Sequence, residues 1–341
     1  MEKTAAPLEW IKDGDVRAVA IVGICKNAGK TTLLNHILSL RPKHHWGVFS
    51  TGLDGEAVDT LFRIPKPAVK LGPGTIFCCD TAALDKLGSS VEVLEKPPVG
   101  SVSRTLWLAR SLVSLETEIT GPGSVAEQVR VLRRMRSHGA ATVLIDGSLD
   151  RKSIALSEAM DAVIVLIGAS FGPIPAIISE LRRLTLLSAL PRAQTEPGEY
   201  QLLLGADQLL ALQEGAWTPT GLKSLMGNAP ALKNWLEKDL AALYIPGALT
   251  DVVYTALREA LAVSGATIIF RHPECLKLGL NRLERLVDEV RPQVLIPFGV
   301  KAWVLNSAAV GTQSVDALDF RGRIRQAFPQ LELSDIRELA L

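Results

Sequence analysis

The residues best suited to chemistry lie near the amino end of the chain, where Gly23–Thr31 matches the spacing G-x-x-x-x-G-K-S/T. Two glycines let such a loop wrap tightly, so that its N–H groups face phosphate oxygens at the positive end of the next helix. We expect Lys30 to reach the β- and γ-phosphates of a nucleotide and the Thr31 hydroxyl to ligate Mg²⁺. The expected nucleotide-binding residues of this segment, here called the glycine loop, are Gly23, Lys26, Asn27, Ala28, Gly29, Lys30 and Thr31, followed by Thr32.

A phosphate-binding loop also needs a carboxylate on the metal side. Asp146 ends an apolar run and is followed by Gly147, so we expect it to hold Mg²⁺ through water and to take part in catalysis. The alternative is an Asp that caps the next helix. Asp150 is a competing acid, although it could instead cap a helix predicted over Ser153–Met160.

A further catalytic acid is expected in the loop Ser50–Glu56, which follows a second apolar run. Asp54 could orient the attacking water or sense the γ-phosphate, and Glu56 is the reserve candidate. The alternative is an ordinary solvated turn, because Asp54 stands between two glycines.

The identity of the nucleotide base is indicated only by the absence of a motif. The tetrapeptide N/T-K-x-D that reads guanine does not occur, which favours ATP over GTP.

The elements around these residues predict an α/β fold with a mostly parallel sheet. Short apolar strands, typical of strands covered on both faces, alternate with helical stretches. The predicted strands are Val16–Val22, Trp46–Phe49, Thr142–Ile145, Ala162–Ile167, Gln201–Leu204, Ala242–Ile245, Ala266–Phe270 and Val294–Pro297. The predicted helices include Thr31–Leu40, a helix from the capping box Ser124/Glu127 to about Ser137, Leu222–Leu240, Leu249–Ala262 and Leu280–Val290.

Differences in local composition and hydrophobic pattern along the chain predict two halves. Residues 1–190 form the nucleotide-binding domain, with a β-rich insertion over about 66–120 that would supply extra edge strands. The polar stretch Pro191–Glu199 is the expected linker. Residues 200–341 are either a second α/β domain or an extension of the first sheet. At one strand end in this half Thr250 or Asp251 could face a ligand or merely cap the helix, and Asn306-Ser307 end the last strand region in the same way.

Composition excludes several classes of protein. The 37 Lys+Arg and 36 Asp+Glu leave a net charge of +1, which argues against a nucleic-acid binder or a polybasic membrane binder. Four cysteines in 341 residues do not make a disulfide framework, and the charged amino terminus shows no signal-peptide core. We therefore expect a cytoplasmic protein with no membrane partner.

His272-x-x-Cys275 has the spacing of a pair of metal ligands but no second pair accompanies it, so a metal site is not favoured there.

The glycine loop, Asp54 and Asp146-Gly147 together resemble the P-loop NTPases, over about residues 16–185. Within them, the sequence resembles the branch that holds dethiobiotin synthetase and nitrogenase iron protein. In part of that branch a second lysine, five residues before the invariant one, reaches the partner subunit's phosphates. Lys26 stands four residues before Lys30, so this sequence departs from the pattern, and a solvated or cis-acting lysine is the alternative. The resemblance and the apolar composition are compatible with a homodimer.

A narrower resemblance covers most of the chain. Thr51–Glu56, Ile145–Ser148 with Arg151, and Gly247–Asp251 are similar to the ATPase subunit of the lysine 5,6-aminomutase reactivase. This likeness implies an ATPase that acts as a chaperone or reactivase on a protein client, one that depends on adenosylcobalamin. No cobalamin-binding D-x-H-x-x-G occurs, so that cofactor would belong to the client. The alternatives are a small-molecule ligase or kinase of the dethiobiotin-synthetase type, a metallochaperone GTPase, and a protein that binds nucleotide without hydrolysing it.

Overall fold

The structure is a computed structural model that describes residues 8–12, 15–51, 68–98, 105–148, 154–308 and 316–339. It is an α/β protein with a large, mostly parallel mixed sheet. The strands are β1 (Ala18–Gly23), β2 (Trp46–Ser50), β3 (Val69–Leu71), β4 (Ile76–Asp80), β5 (Val91–Glu95), β6 (Leu106–Ser111), β7 (Leu115–Thr117), β8 (Thr142–Ser148), β9 (Ala162–Gly168), β10 (Leu210–Gln213), β11 (Ala216–Pro219), β12 (Ala242–Ile245), β13 (Leu249–Thr250), β14 (Thr267–Phe270), β15 (Leu276–Lys277), β16 (Gln293–Val294), β17 (Val300–Asn306) and β18 (Leu333–Asp335).

The α-helices among the described residues are α1 (Lys30–Leu40), α2 (Thr81–Leu87), α3 (Val125–Ser137), α4 (Ile174–Ser188), α5 (Pro197–Gly205), α6 (Ala229–Leu236), α7 (Asp251–Val263), α8 (Leu280–Val290) and α9 (Ala317–Ala327). Short 3-10 helices occur at Glu9–Lys12, Gly88–Ser90, Ile154–Leu156, Ala169–Phe171 and Pro273–Cys275. None of the described helices is both long and apolar enough to cross a bilayer.

The nine-stranded sheet has the order β18-β17-β9-β1-β8-β2-β4-β6-β5. Pairing is parallel from β18 to β4, and β6 and β5 add an antiparallel edge. Strands β1 and β9 are buried along their whole length, as their continuous apolar runs require. Residues of α1 pack on one face of this sheet and residues of α3 on the other.

The chain divides into two compact units whose boundaries differ from the expected division at residues 190 and 200. The first unit comprises residues 1–178 and 299–341, and the second comprises 179–298. The difference arises because β17 pairs with β9, and β18 pairs with β17, so the carboxyl-terminal segment completes the first sheet. Both alternatives for the second half therefore occur, each in a different stretch of it. The β-rich segment lies at the opposite edge, where β4, β6 and β5 extend the sheet.

The second unit contains a five-stranded sheet of order β11-β10-β12-β14-β16. Strands β12, β14 and β16 are parallel, and β10 and β11 form an antiparallel hairpin. The hairpin turns at Glu214-Gly215, which both have positive φ (49° and 78°). The core of the second unit contains Tyr200, Leu203, Tyr244 and Ile269.

Two predictions in this unit are wrong, and one elsewhere is confirmed. Gln201–Leu204 is predicted as a strand but lies inside α5, which starts at a capping box formed by Glu196 and Glu199 with a proline at its first turn. The helix predicted over Leu222–Leu240 is confined to α6. The N-cap at Ser124 of α3 is confirmed, since its hydroxyl accepts from the Glu127 N–H; the Glu127 carboxylate accepts from that hydroxyl.

Candidate functional site

The glycine loop lies at the centre of the large sheet, at the edge where its parallel strands end. It connects β1 directly to α1, and β1 lies between β8 and β9. From β1 the sheet continues on one side through β8 to β2 and on the other through β9 to β17. Ligands of open α/β sheets bind at such a point, outside the carboxyl ends of the strands.

The loop is held in an unusual backbone conformation. Asn27 has φ 59° and Gly29 has φ 98°, both in the left-handed region. Asparagine tolerates this region better than most residues, and glycine adopts it without a steric cost. Gly29 is also the N-cap of α1, and no side chain caps that helix.

The loop leaves a run of backbone donors without partners. Among the described residues, no hydrogen bond of good geometry joins the N–H groups of residues 25–32 to a protein acceptor, apart from a tight turn at Lys26–Asn27. By contrast, Ile24 N donates to Leu166 O at 3.0 Å and Leu33 N donates to Gly29 O at 3.0 Å. Most backbone N–H groups in folded proteins are paired with protein or water. A set of free donors at the start of a helix, where the dipole is positive, is suited to an anion with several oxygen atoms.

The side chains of the glycine loop itself carry positive charge and no negative charge. The aliphatic part of Lys30 passes over Gly23, because a Cβ at Gly23 would lie 3.5 Å from Lys30 Cδ and 2.7 Å from the Ala28 Cβ. Cys25 is partly buried, and this burial raises the pKa of its thiol to about 11, although the nearby Lys30 ammonium lowers it. The thiol is therefore neutral at pH 7, and the loop presents no anion that would compete with a bound one.

Asp146 lies on the neighbouring strand, on the face of the sheet that α1 covers. In the parallel register it is opposite Ile21 of β1 and Ser50 of β2. Side chains alternate along a strand, and Leu144 packs in the cluster that contains α1 residues, so Asp146 projects to that same side. Asp146, the predicted metal-side acid, and the glycine loop thus lie at one edge and on one face of the sheet.

The other predicted residues have different outcomes. Lys26 and Thr32 are exposed, and Asn27 and Thr31 are partly buried. Asp54, its reserve Glu56, and the competing acid Asp150 lie outside the described residues. The helix predicted over Ser153–Met160 is described only from residue 154, where a short 3-10 helix, Ile154–Leu156, is found.

Sequence reasoning missed the residues that support the loop from the side of β9 and β17. Gly168, at the end of β9, allows the loop to approach, since a Cβ there would lie 2.9 Å from the Ala28 Cα and 3.1 Å from the Cys25 Sγ. Asn306, at the end of β17, is paired in register with Gly168 and donates through Nδ2 to the Ala28 carbonyl at 3.0 Å. The position of Asn306 at a strand end was a signal, but nothing in the sequence indicates which strand it adjoins.

A second group of reactive side chains lies in the second unit. The Cys275 Sγ is 3.8 Å from His272 Nδ1 and donates to the Pro246 carbonyl at 3.5 Å. Burial raises the pKa of this thiol and lowers the pKa of His272 to about 4, so neither group is charged at pH 7. Within the described ranges, no three His, Cys, Asp or Glu side chains are arranged to hold a metal ion.

The chain matches no protein-family model, no curated protein and no solved structure. The glycine loop and its surroundings are therefore the features that indicate a function.

Proposed function

We propose that this protein is a P-loop nucleoside triphosphatase that binds Mg²⁺ and ATP at the glycine loop and hydrolyses ATP. The observation that carries the proposal is the run of backbone N–H groups over residues 25–32 that, apart from a tight turn at Lys26–Asn27, have no acceptor among the described residues. The first N–H groups of any helix lack an intrahelical partner, and here residues 25–29 extend that set of donors beyond the start of α1.

The donor groups present fit a polyphosphate. The backbone supplies N–H groups, the start of α1 supplies the positive end of a helix dipole, and Lys30 supplies an ammonium group beside Gly23. The lysine would offset the negative charge that develops on the β- and γ-phosphate oxygens. Removing this cation would therefore affect turnover more than it affects the fold.

The residues at the metal side also fit. The Thr31 hydroxyl is in the first turn of α1, and the Asp146 carboxylate is on the face of the sheet that α1 covers. Oxygen donors of this kind suit Mg²⁺, which would supply positive charge to offset the charge of the phosphates. Within the proposal Thr31 and Asp146 would hold that ion, and Asp54, four residues after the end of β2 in the sequence, would orient the attacking water.

Finer parts of the proposal concern the base, the client and the compartment. The absence of the guanine-reading tetrapeptide supports ATP, and the four free cysteines support a reducing cytoplasmic setting. We extend the proposal to a chaperone or reactivase that acts on a protein client, for which the resemblance of short segments is the support. That extension predicts slow basal hydrolysis that a partner protein accelerates.

Phosphate release from ATP tests the proposal. The purified chain with Mg²⁺ should release phosphate from ATP, and Lys30→Ala should not, while its far-ultraviolet circular dichroism stays that of the wild type. Lys70→Ala is the matched control, because Lys70 is a surface lysine of the same unit whose ammonium lies 3.8 Å from Glu116. Equal turnover in the wild type and Lys30→Ala would refute the assignment of the site.

A further inference from the structure

We infer that Asn306 is a positioning residue that holds the glycine loop in its anion-accepting conformation, through the segment of the chain that returns to the first unit. The predicted effect on polyphosphate affinity rests on the proposed function. The predicted effect on the conformation of the loop does not, because that conformation can be measured without any nucleotide.

The Asn306 side chain is fixed at both ends of its amide. Its Nδ2 donates to the Ala28 carbonyl at 3.0 Å, and its Oδ1 accepts from the Ala308 N–H at 3.1 Å. Only 8 % of the residue is exposed. A buried amide with both groups bonded has no freedom to rotate, so it can impose an orientation on its partner.

The Ala28 carbonyl is an effective point for such control. Ala28 precedes the N-cap Gly29, so its carbonyl has no partner within α1, and it accepts from Asn306. The peptide group that joins Ala28 to Gly29 is planar, so fixing its carbonyl also fixes the direction of the Gly29 N–H. That N–H is one of the donors without a partner, and the side chain of Asn306 therefore sets the direction of a backbone group that it does not touch.

The amide also explains the second glycine of the loop. A Cβ at Gly29 would lie 2.5 Å from Asn306 Nδ2 and 3.0 Å from the Ile336 Cδ1. Residues from the ends of β17 and β18 thus occupy the space beside Gly29, in addition to the positive φ that already favours glycine there.

The ends of these two strands are themselves held together. Asp335, which is fully buried, accepts through Oδ2 from the Ser307 N–H at 3.1 Å and through Oδ1 from the Arg337 N–H at 2.9 Å. Asn306 is therefore presented by a well-bonded support rather than by a loose loop. The contact joins residues 278 positions apart, so the loop takes its final conformation only when the carboxyl-terminal segment is in place.

Cys25 supplies a direct report of loop conformation. It is partly buried with its Sγ 4.0 Å from the Gly168 carbonyl, and the other three cysteines are buried. Loosening of the loop should therefore raise the rate at which iodoacetamide alkylates this one thiol. Nucleotide-free protein is used, and the modified residue is identified by peptide mass spectrometry.

We compare Asn306→Ala with Asn35→Ala. Asn35 makes the same pair of bonds, donating to the Ala68 carbonyl at 3.1 Å and accepting from the Lys70 N–H at 2.9 Å, but these bonds tie α1 to β3 away from the loop. Asn306→Ala should raise the Cys25 alkylation rate several-fold and weaken binding of inorganic tripolyphosphate about tenfold. Asn35→Ala should change neither quantity. Asn306→Asp should weaken tripolyphosphate binding further, because it replaces the donor by a negative charge.

The outcomes separate the two claims. Wild-type values of the alkylation rate in a folded Asn306→Ala protein would overturn the inference. Faster alkylation in Asn306→Ala, in a chain whose wild type binds no tripolyphosphate, would support the positioning role and contradict the proposed function. If Asn306→Ala does not fold, Asn306→Ser, which keeps a hydroxyl donor, should fold and show an intermediate rate, and a wild-type rate in that variant would also overturn the inference.

Discussion

At the carboxyl end of β1 the backbone N–H groups of residues 25–32, apart from a tight turn at Lys26–Asn27, have no acceptor among the described residues, whereas at the carboxyl end of β14, in the second unit, the polar groups bond to one another. Both places follow a central parallel strand, and both carry basic side chains and a cysteine. They differ in what their polar atoms do. The bonds at the second place include Arg271 Nε to the Tyr244 hydroxyl at 3.1 Å, Arg271 Nη2 to the Ala206 carbonyl, and Lys277 Nζ to Glu274 Oε2 at 2.9 Å.

Charge distinguishes the two places in the same sense. At the end of β14 the lysine is neutralised by a buried carboxylate, Glu274, and the His272 imidazole is held neutral by burial. At the end of β1 the Lys30 ammonium lies beside a neutral thiol and free N–H groups. The first edge therefore presents the Lys30 charge to an anion, whereas at the second edge the lysine is paired with a carboxylate within the fold.

The comparison shows how a ligand site can be distinguished from a structural cluster. Polar groups that only stabilise a fold are paired with each other, because an unpaired buried group costs free energy. Groups that await a ligand remain unpaired in its absence. By this criterion the glycine loop is the better candidate, even though the β14 end holds more of the side-chain types that perform catalysis.

The largest expected effect comes from removing the lysine at each edge. Lys30→Ala should lower ATP turnover by at least about a hundredfold, because one positioned charge is lost where negative charge develops. Lys277→Ala, at the second edge, should leave turnover at the wild-type value. A comparable loss in both variants, measured by phosphate release, would abolish the distinction between the two edges.

A glycine at each edge gives a second matched pair. Gly168 has φ −90° and ψ 136°, a conformation open to any residue, so Gly168→Ala acts through the contacts of the added Cβ with Ala28 and the Cys25 Sγ. We expect it to weaken ATP binding by between about tenfold and a hundredfold. Gly247→Ala, where an added Cβ meets nothing within 4 Å, should have no effect. Isothermal titration calorimetry measures both, and unchanged affinity in Gly168→Ala would mean that the loop does not bind the nucleotide in this conformation.

A change at the second edge should affect stability and not binding. Arg271→Ala removes the bonds to Tyr244 and Ala206, and should lower the free energy of unfolding by about 1 kcal/mol. Urea denaturation gives this value, and the ATP affinity serves as the control. A loss of ATP affinity with no loss of stability would show that the β14 end takes part in nucleotide binding.

A further effect at the second edge is a gradual dependence of stability on pH. The pKa of His272 is lowered from its ordinary 6.5 to about 4 by burial, so between these values the unfolded chain binds a proton that the folded chain does not. Stability from this group is present above pH 6.5 and is lost as the pH falls toward 4, by no more than about 1.4 kcal/mol per pH unit. His272→Gln should flatten this part of the profile in chemical denaturation. An unchanged slope would show that His272 is protonated in the folded protein.

Much of the first unit was predictable from local sequence. The continuous apolar runs predict β1, β8 and β9 because a strand covered on both faces needs no polar alternation. The motif spacing predicts the glycine loop because the tight turn and the free N–H groups need those glycines. The position of Asp146 at the carboxyl end of β8 is predicted in the same way, because it is an acid that directly follows an apolar run.

The support of the loop was not predictable, because it depends on pairing between distant segments. Nothing near Asn306 indicates that β17 pairs with β9, and so the contact with Ala28 could not be foreseen. The strand predicted over Gln201–Leu204 failed for a related reason. Its apolar run is short, and the capping box and proline before it decide in favour of a helix, which periodicity alone cannot.

The central claim is that the glycine loop binds ATP through Lys30 and the loop backbone. The most direct test is thermal unfolding with Mg²⁺ and ATP, ADP, GTP or no nucleotide, with Lys30→Ala and Lys70→Ala beside the wild type. At 100 times its dissociation constant, ATP should add about 2.7 kcal/mol to the stability of the wild type and of Lys70→Ala, and much less to that of Lys30→Ala. No shift with any nucleotide, or an equal shift in Lys30→Ala, would contradict the account.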